Sequence, residues 1–165
     1  MNRQSLLAGL LAIAVLGAVV AGTLWFTRKN TLAVSGHIVK VRTHAVDADN
    51  TIAVLDFRVS NPSALLLKVR EAQAVLVPAS GPEITGETVS EMDAVRLFGY
   101  FKDLGQKYNP SLLINDKIGP GQTIDRMLAI TFKAPLAQVE GRKAMRLRIV
   151  DVDGAIVEIT DRPQR

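Results

Sequence analysis

The sequence TIAVLDFRVSNP, residues 51–62, decides the fold class of this 165-residue chain. Every second side chain from Ala53 onward is apolar, and the charged residues Asp56 and Arg58 alternate with them. This period of two predicts a β-strand with one face in the core and one face in solvent. Pro62 ends the strand, because proline has no N–H group to donate to a sheet.

The flanking segments continue the β pattern. Residues 32–46 are rich in β-branched side chains and lead into a turn at Asp47–Asn50. Residues 65–77 contain one long strand or two short ones, and Pro78–Thr88 is a loop rich in Gly, Pro, Ser and Thr. The sequence therefore predicts one mainly β domain over residues 33–161, a length typical of a single domain.

A β-hairpin near the end of the domain can be predicted in register. Val152-Asp153-Gly154 fits a three-residue loop with Gly154 in the left-handed conformation. This loop pairs Leu147 with Ile159, Arg148 with Glu158 and Ile149 with Val157. A two-residue Asp-Gly turn would instead place Arg148 opposite Ile159, so we predict the three-residue loop.

One segment departs from the β pattern. Ser90 followed by Asp93 is typical of a helix start, and Gly105 is typical of a helix end. Apolar residues recur at helical spacing between them, namely Ala94, Leu97, Phe98, Phe101 and Leu104. The pattern predicts an inserted amphipathic helix of about four turns over Ser90–Leu104, and a shorter helical turn within Pro135–Gly141.

The N-terminal segment from Ser5 to Phe26 contains no charged residue. A helix of this length spans about 33 Å, close to the apolar thickness of a bilayer. Trp25 and Phe26, followed by Arg28 and Lys29, form an aromatic and basic boundary of the kind found at membrane surfaces. We therefore predict a tail over residues 1–4, a single transmembrane anchor over 5–27, a linker over 28–32 and a C-terminal tail over 162–165.

Two alternatives concern this segment. Val19-Val20-Ala21 resembles a weak cleavage site, so a signal peptide competes with a retained anchor. Retention is favoured because the apolar run is long. The short basic tail favours an anchor in the cytoplasmic (inner) membrane with the domain on the extracytoplasmic side, whereas the Lys and Arg residues after the segment favour the reverse orientation.

Small residues recur every four positions in the predicted anchor, at Ala14, Ala18 and Gly22. This spacing lets two helices approach closely, so a homodimer through this face is one hypothesis. The alternative is that Ala and Gly are ordinary constituents of membrane helices. The chain contains no cysteine, which excludes disulfides and a lipid-modified cysteine.

A set of strand and turn residues forms a recognisable pattern: Leu55, Phe57, Val59, Asn61-Pro62, Leu67, Val69, Val75-Leu76, Ile118–Thr123, Phe132 and Pro135. This pattern resembles the LEA type 2, or WHy (water stress and hypersensitive response), domain. Ser63 stands where that family often has another asparagine, and the Ser90–Leu104 helix looks like an insertion. The resemblance implies an immunoglobulin- or fibronectin-III-like β-sandwich, often behind a membrane anchor, with stress-protective or envelope-surface roles rather than catalysis.

Residues that could support catalysis are sparse. His37 and His44 are seven positions apart in a predicted strand, which places them on opposite faces and disfavours a shared metal site. The sequence has no G-x-S-x-G elbow and no glycine-rich phosphate loop. Its net charge of +4 comes from interspersed signs, which disfavours nucleic-acid binding. We predict no enzymatic activity, no cofactor and no metal.

The best candidate for a contact surface is aromatic. Phe98, Tyr100, Phe101 and Tyr108 lie close together on or just after the predicted helix. If exposed, they would contact a protein partner or lipid; the alternative is that they pack on the sandwich. The predicted function is a non-catalytic, membrane-anchored binding or scaffolding module at the cell envelope. The alternative is a LEA type 2-like stress-protective or lipid- or small-ligand-binding domain, which would need an apolar cavity.

Overall fold

Two antiparallel sheets face each other in the computed structural model, which describes residues 12–23 and 32–161. Residues 12–23 form a helix, α1. The strands within the described residues are β1 (Ser35–Ala45), β2 (Thr51–Ser60), β3 (Leu67–Val77), β4 (Ile84–Thr85), β5 (Glu87–Thr88), β6 (Lys117–Ile118), β7 (Thr123–Phe132), β8 (Ala144–Asp151) and β9 (Ile156–Asp161). The other helices within them are α2 (Glu91–Tyr100), a 3-10 helix (Lys102–Leu104) and α3 (Leu136–Glu140).

The sheets form a sandwich around an apolar core. The first sheet has the strand order β1-β2-β7-β5, and the second has the order β4-β3-β8-β9, with β6 beside β3. Large buried side chains of this core are Leu55, Phe57, Leu67, Leu76, Ile118, Ile130, Phe132, Met145, Leu147 and Ile149. The predicted mainly β sandwich is confirmed, while its assignment to the immunoglobulin- or fibronectin-III-like class stays a prediction.

The segment 78–88, predicted as a loop, carries the chain from one sheet to the other. β4 pairs with β3 in the second sheet, and β5 pairs with β7 in the first. Gly86 lies between β4 and β5, and its N–H donates to the carbonyl oxygen of Ala74 at 2.9 Å. A Cβ atom at Gly86 would collide with the side chains of Ile130 and Phe132, so this crossing requires glycine.

β2 is buried on both faces. Leu55 and Phe57 lie in the core between the sheets. Ile52 and Val54 lie in a second apolar cluster on the opposite face, which α2 and the 3-10 helix cover. The prediction that one face of this strand meets solvent is therefore wrong; within β2, Arg58 alone is exposed.

The inserted helix is shorter than predicted. It begins after Ser90, whose Oγ accepts a hydrogen bond from the N–H of Asp93 at 3.2 Å, and it ends at Tyr100. Phe101 has φ −106° and ψ 88°, which interrupts the helix before the 3-10 turn. Gly105 follows with φ 76°. The predicted start is confirmed, whereas the predicted last turn is a separate 3-10 helix.

The C-terminal hairpin has the predicted register. Leu147 pairs with Ile159, Arg148 with Glu158 and Ile149 with Val157. Gly154 has φ 88°, and its N–H donates to the carbonyl oxygen of Asp151 at 2.9 Å, which closes the three-residue loop. The short helical turn within Pro135–Gly141 is also confirmed, as α3.

A β-bulge at Val39 changes which residues of β1 share a face. His37 lies opposite Arg58 of β2, and His44 lies opposite Ile52. Arg58 and Ile52 are an even number of positions apart, so both histidines lie on the same face of the sheet. The prediction of opposite faces is wrong because the bulge adds one residue. The two rings still lie near opposite ends of the strand, about 20 Å apart along it.

The predicted anchor falls only partly within the described residues. Residues 12–23 are helical and exposed. No helix in the described part of the chain is both long and apolar enough to cross a bilayer. The boundary residues Trp25, Phe26, Arg28 and Lys29 lie outside the described residues, as do both predicted tails and most of the predicted linker.

Candidate functional site

A buried ion pair attaches residues 90–112, called the insertion below, to the outer face of the first sheet. Arg42 on β1 donates through Nε and Nη2 to Oδ2 of Asp56 on β2, at 3.0 and 2.8 Å. Both side chains are only 6% exposed. Arg42 Nη1 also donates to the carbonyl oxygens of Leu104 and Gln106. The guanidinium therefore bridges the sheet and the backbone of the insertion.

Asp56 holds a further point of the insertion. Its Oδ1 accepts a hydrogen bond from Asn109 Nδ2 at 2.9 Å. Both carboxylate oxygens are therefore satisfied, which a charge in a buried position requires. The two members of the ion pair together fix the stretch from residue 104 to residue 109 against the sheet.

The Arg42 guanidinium also contacts two aromatic rings of the insertion. Its central carbon lies 5.2 Å from the ring centroid of Phe98 and 5.2 Å from that of Tyr108. A cation at that distance is attracted by the quadrupole of an aromatic ring. Arg42 therefore contacts the Tyr108 ring from the side of the sheet, although 65% of this tyrosine is exposed to solvent.

His44 connects β1 to the 3-10 helix. Its ring stacks on Phe101, with the ring centroids 4.0 Å apart. Its Nδ1 lies 2.5 Å from Oδ2 of Asp103. The hydrogen bond from His44 lowers the pKa of the Asp103 carboxyl below its ordinary value. His44 thus has a structural role in holding the insertion.

The four aromatic residues predicted as a contact surface divide into two pairs. Phe98 and Phe101 are partly buried and pack against the second apolar cluster. Tyr100 is 79% exposed, and Tyr108 is also mostly exposed. The structure therefore places all four on the insertion, and the two tyrosines present most of their surface to solvent.

Two further apolar side chains of α2, Met92 and Val95, are exposed. We call Met92, Val95, Tyr100 and Tyr108 the insertion patch. Beside it, Glu91 forms an ion pair with Lys107, which joins the start of α2 to the loop that follows the 3-10 helix. Burial acts to raise the pKa of the Glu91 carboxyl, but the hydrogen bonds from Lys107 and Ser111 and the charge of Lys107 together outweigh it, so that the pKa lies below its ordinary value.

Asn61 joins two loops at one end of the sandwich. Its Nδ2 donates to the carbonyl oxygens of Leu65 and Ile118, at 2.8 and 2.9 Å. Its Oδ1 accepts from the hydroxyl of Ser63 at 2.6 Å. The side chain is fully buried and satisfied, so the Asn61-Pro62 turn motif has a structural explanation.

The three arginines of the basic run between Arg142 and Arg148 form ion pairs within the domain. Arg142 contacts Asp161 at 2.7 Å, and Arg146 forms ion pairs with Glu83 and Glu158. Arg148 lies 4.0 Å from Glu158. These pairs make the outer face of β8 and β9 a mixed-charge surface.

The described residues provide no metal centre. Among residues 12–23 and 32–161, no three His, Asp or Glu side chains are grouped so that they could hold an ion. Asp47 accepts hydrogen bonds from the N–H groups of Asp49 and Asn50, both at 2.8 Å, which makes this segment a turn as predicted.

An open groove runs along the edge where the two sheets separate, beside β3 and β5. Its volume is about 600 Å³. Val69, Leu112 and Leu128 contribute apolar side chains to it, and Glu71 and Glu87 also line it. The groove opens to solvent and is therefore a cleft between the sheets rather than a cavity enclosed by them.

The sequence patterns did not identify the residues that fix the insertion, namely Arg42, Asp56 and Asn109. Asp56 carried one available signal, since it interrupts a strand whose other residues from Thr51 to Phe57 are suited to burial. A charge at such a position needs a buried partner of opposite sign. Nothing in the linear sequence identified Arg42 as that partner.

No protein-family model matches the chain, and no curated protein sequence matches it. Solved structures with similar folds include the archaellum periplasmic stator protein FlaG from Sulfolobus acidocaldarius, at 14% identity and a TM-score of 0.36, covering 78% of this chain and 100% of that one. An uncharacterised β-sandwich protein from Clostridium difficile is similar at 12% identity and a TM-score of 0.34, covering 79% and 81% of the two chains. These likenesses are remote, and no function is transferred from them.

Proposed function

We propose that this chain is a non-catalytic, membrane-anchored binding module of the cell envelope, and that its insertion patch contacts a protein partner. The observation that carries the proposal is a set of four exposed apolar or aromatic side chains on one firmly attached segment. Tyrosine and methionine are enriched at protein interfaces. A surface that is already fixed loses little conformational entropy on binding, so more of the contact energy appears as affinity.

The attachment of the patch supports a binding role. Arg42 holds the segment that follows α2 and also lies under the Tyr108 ring. The ion pair between Glu91 and Lys107 joins the start of α2 to the loop that follows the 3-10 helix. These charged groups are engaged in contacts within the domain, so they serve to position the patch rather than to act on a substrate.

The anchor belongs to the same proposal. The uncharged run from Ser5 to Phe26 and its aromatic and basic boundary support a single membrane span. The short basic tail before it supports the domain on the extracytoplasmic side of the cytoplasmic membrane. Ala14, Ala18 and Gly22 lie on one side of α1, which supports self-association of two anchors as part of the proposal.

A second candidate is the LEA type 2-like role, with binding of a lipid or small ligand. The groove beside β3 and β5 favours it, because its volume of about 600 Å³ is within the range of small-molecule sites. Mass spectrometry of small molecules retained by the purified chain would test this candidate. A stoichiometric ligand whose loss follows a Thr88→Trp substitution in the groove would support it, and an empty groove would count against it.

Site-specific photo-crosslinking tests the principal proposal. Tyr100 is replaced by a photoreactive amino acid in the full-length chain, and isolated membranes are irradiated. We expect one protein adduct that a second substitution, Val95→Glu, abolishes. Ile156→Glu is the matched control, because Ile156 is 55% exposed and Val95 is 53% exposed, but Ile156 lies on β9 in the second sheet, whereas the insertion packs on the first. A membrane-bound chain without an adduct at position 100, or an adduct insensitive to Val95→Glu, would refute the patch assignment.

A further inference from the structure

The loops at one end of the sandwich meet where the described part of the domain begins. Ser60 pairs with Ser35 in β1 and with Thr123 in β7, so residues 61–66 and 119–122 lie at the same end as Leu32. Val69 at the start of β3 pairs with Asp151 at the end of β8, which brings residues 152–155 to that end as well. We call residues 61–66, 119–122 and 152–155 the anchor end.

The anchor end carries exposed apolar side chains, namely Leu65, Leu66 and Val152. Together with Leu32 they line a groove of about 620 Å³. Because three different segments of the chain supply these side chains, they form a continuous apolar rim rather than isolated exposed residues.

The anchor end has two acidic side chains: Asp151 is engaged within the hairpin, whereas Asp153 is exposed and lines the groove. Asp151 Oδ1 accepts from the N–H of Lys68 at 2.7 Å, and its Oδ2 accepts from the N–H of Asp153 at 3.0 Å. Asp151 is buried, so its charge faces the hairpin rather than solvent. Lys68 lines the groove, and Lys117 lies opposite it in the β3–β6 pair. The apolar rim is therefore bordered by two lysines and by Asp153, so that basic groups outnumber exposed acidic groups at this end.

The other end of the sandwich has a different character. It consists of the loops 46–50, 78–83 and 133–143. Its exposed charged residues are Asp47, Asp49, Glu83, Lys133, Glu140 and Lys143. Val46 is its exposed large apolar residue within the described chain. The two ends thus differ in the way expected if one faces an apolar or interfacial medium and the other faces water.

The length of the linker brings the anchor end close to the membrane. The proposed anchor ends at residue 27, and the five residues 28–32 reach at most about 17 Å when fully extended. Leu32 is itself part of the groove lining. This step rests on the proposed function, because it requires the segment 5–27 to be in the bilayer.

We propose that the anchor end docks on the bilayer surface, with Leu65, Leu66 and Val152 at the headgroup–acyl boundary. Lys68 and Lys117 then lie at the level of the lipid phosphates, where a basic side chain is attracted by anionic headgroups. Burial of a few apolar side chains in the interface is sufficient to orient a domain that is already tethered. Docking sets the sandwich upright on the membrane, with its charged end pointing away.

The absence of cysteine from the chain permits a direct test by single labels. Full-length Leu66→Cys and Val152→Cys variants carry an environment-sensitive fluorophore and are reconstituted in phosphatidylcholine vesicles, with and without phosphatidylglycerol. Some lipids carry a quencher near the headgroup. Val46→Cys, at the charged end, is the matched control. We expect the quencher lipid to reduce emission at positions 66 and 152, more strongly with phosphatidylglycerol, and to leave position 46 unchanged.

Three other outcomes would overturn docking, and they differ in meaning. A chain that does not float with the vesicles contradicts the proposed anchor and docking with it. A chain that floats while position 66 is quenched no more than position 46 contradicts docking alone. Emission at position 66 that is blue-shifted but insensitive to the quencher lipid means that protein, such as residues 24–31, fills the groove. As a further check, Leu65→Ser with Leu66→Ser should leave flotation intact and abolish quenching at position 152.

Discussion

Arg42 and Asp56 form a diagonal pair across two neighbouring strands, in which the hydrogen bonds from Arg42 Nε and Nη2 both end on Oδ2 of Asp56. In the β1–β2 register, Arg42 lies opposite Val54, and Asp56 lies opposite Lys40. The diagonal arrangement leaves Asp56 Oδ1 for Asn109 and leaves Arg42 Nη1 for the insertion backbone. One ion pair therefore fixes a segment that is distant in sequence from both residues.

Replacing Arg42 by Gln should destabilise the domain strongly. The substitution leaves Asp56 as an unpaired buried charge, and breaking a buried pair in this way costs about 3–5 kcal/mol. The loss should appear as a lower free energy of unfolding in urea. Amide hydrogen exchange should also accelerate between residues 104 and 109.

Arg58→Gln is the matched control for that substitution. Arg58 also pairs with an aspartate, Asp125, through two hydrogen bonds, but both side chains are about half exposed. Its removal should have a much smaller effect on unfolding, because exposed pairs contribute little. Equal losses for the two variants would show that burial of the Arg42–Asp56 pair is energetically unimportant.

Asn61→Ala should destabilise the loops at the anchor end. It removes both donors to the carbonyl oxygens of Leu65 and Ile118; the bond to Ile118 is buried, and a buried group left unsatisfied costs about 1–3 kcal/mol. Ser63→Ala removes one bond to Asn61 and leaves these two in place, so its effect should be smaller. Thermal unfolding of the two variants would measure the difference. The reverse order of stabilities would contradict the assigned role of the amide.

Glycine-to-alanine substitutions at two positions should change the free energy of unfolding in opposite directions. Gly86→Ala introduces a Cβ 2.7 Å from Phe132 Cε1, and such overpacking costs about 1–3 kcal/mol. Gly99→Ala adds a methyl group where no atom lies within 4 Å. Because Gly99 lies within α2, alanine there should stabilise the domain by up to about 1 kcal/mol. Urea denaturation of both variants checks the two signs, and destabilisation by both would contradict the local packing described.

His44→Gln should raise the pKa of the Asp103 carboxyl toward its ordinary value of 3.8. In the folded protein the hydrogen bond from His44 holds the pKa of Asp103 below 3.8. The pair therefore stabilises the fold above pH 3.8, and this stabilisation is lost as the pH falls through the pKa that Asp103 has in the folded protein. The variant should therefore lose less stability on acidification through that range. Carboxyl carbon NMR shifts follow the titration directly. An unchanged Asp103 titration would show that another group controls it.

Gly22→Ile tests the proposed association of two anchors. The larger side chain should separate helices that approach through Ala14, Ala18 and Gly22, and so reduce the dimer fraction after chemical crosslinking in membranes. Gly17→Ile is the matched control on another side of α1. Neither glycine has another atom within 4 Å of the added Cβ, so neither substitution disturbs a packed contact of the described chain. Equal effects at both positions would rule out a specific face.

Sequence patterns predicted those parts of the fold in which the contacting residues are close together in the chain. The hairpin at residues 152–154 was predictable to the register because its loop, its apolar pairs and its charged pair are all close in sequence. The start of α2 at Ser90 was predictable for the same reason. By contrast, the side chain that buries Asp56 comes from β1, and the cover over β2 comes from residue 90 onward. Alternation within one strand shows its two faces but does not show what covers them.

The errors at the candidate site have similar causes. The bulge at Val39 reverses the face of every residue after it, yet no glycine or other distinctive residue marks it in the sequence. The four aromatic residues all lie on the insertion, and their role as a contact surface stays a prediction. Their division into packed phenylalanines and exposed tyrosines depends on the apolar cluster on β2 and β7, which lies outside the segment. A site built from contacts between distant segments therefore remains largely hidden from sequence patterns.

The position of β1 and β9 in the sandwich has a mechanical consequence. Ser35 lies at the anchor end, whereas Asp161, which pairs with Met145, lies at the charged end. A pulling force between these two residues acts along both strands, and their hydrogen bonds run perpendicular to it. All bonds of each ladder then resist in shear at once, instead of opening one after another. A domain of this topology, pulled between these two ends, can carry tension along its length without unravelling from β1 or β9.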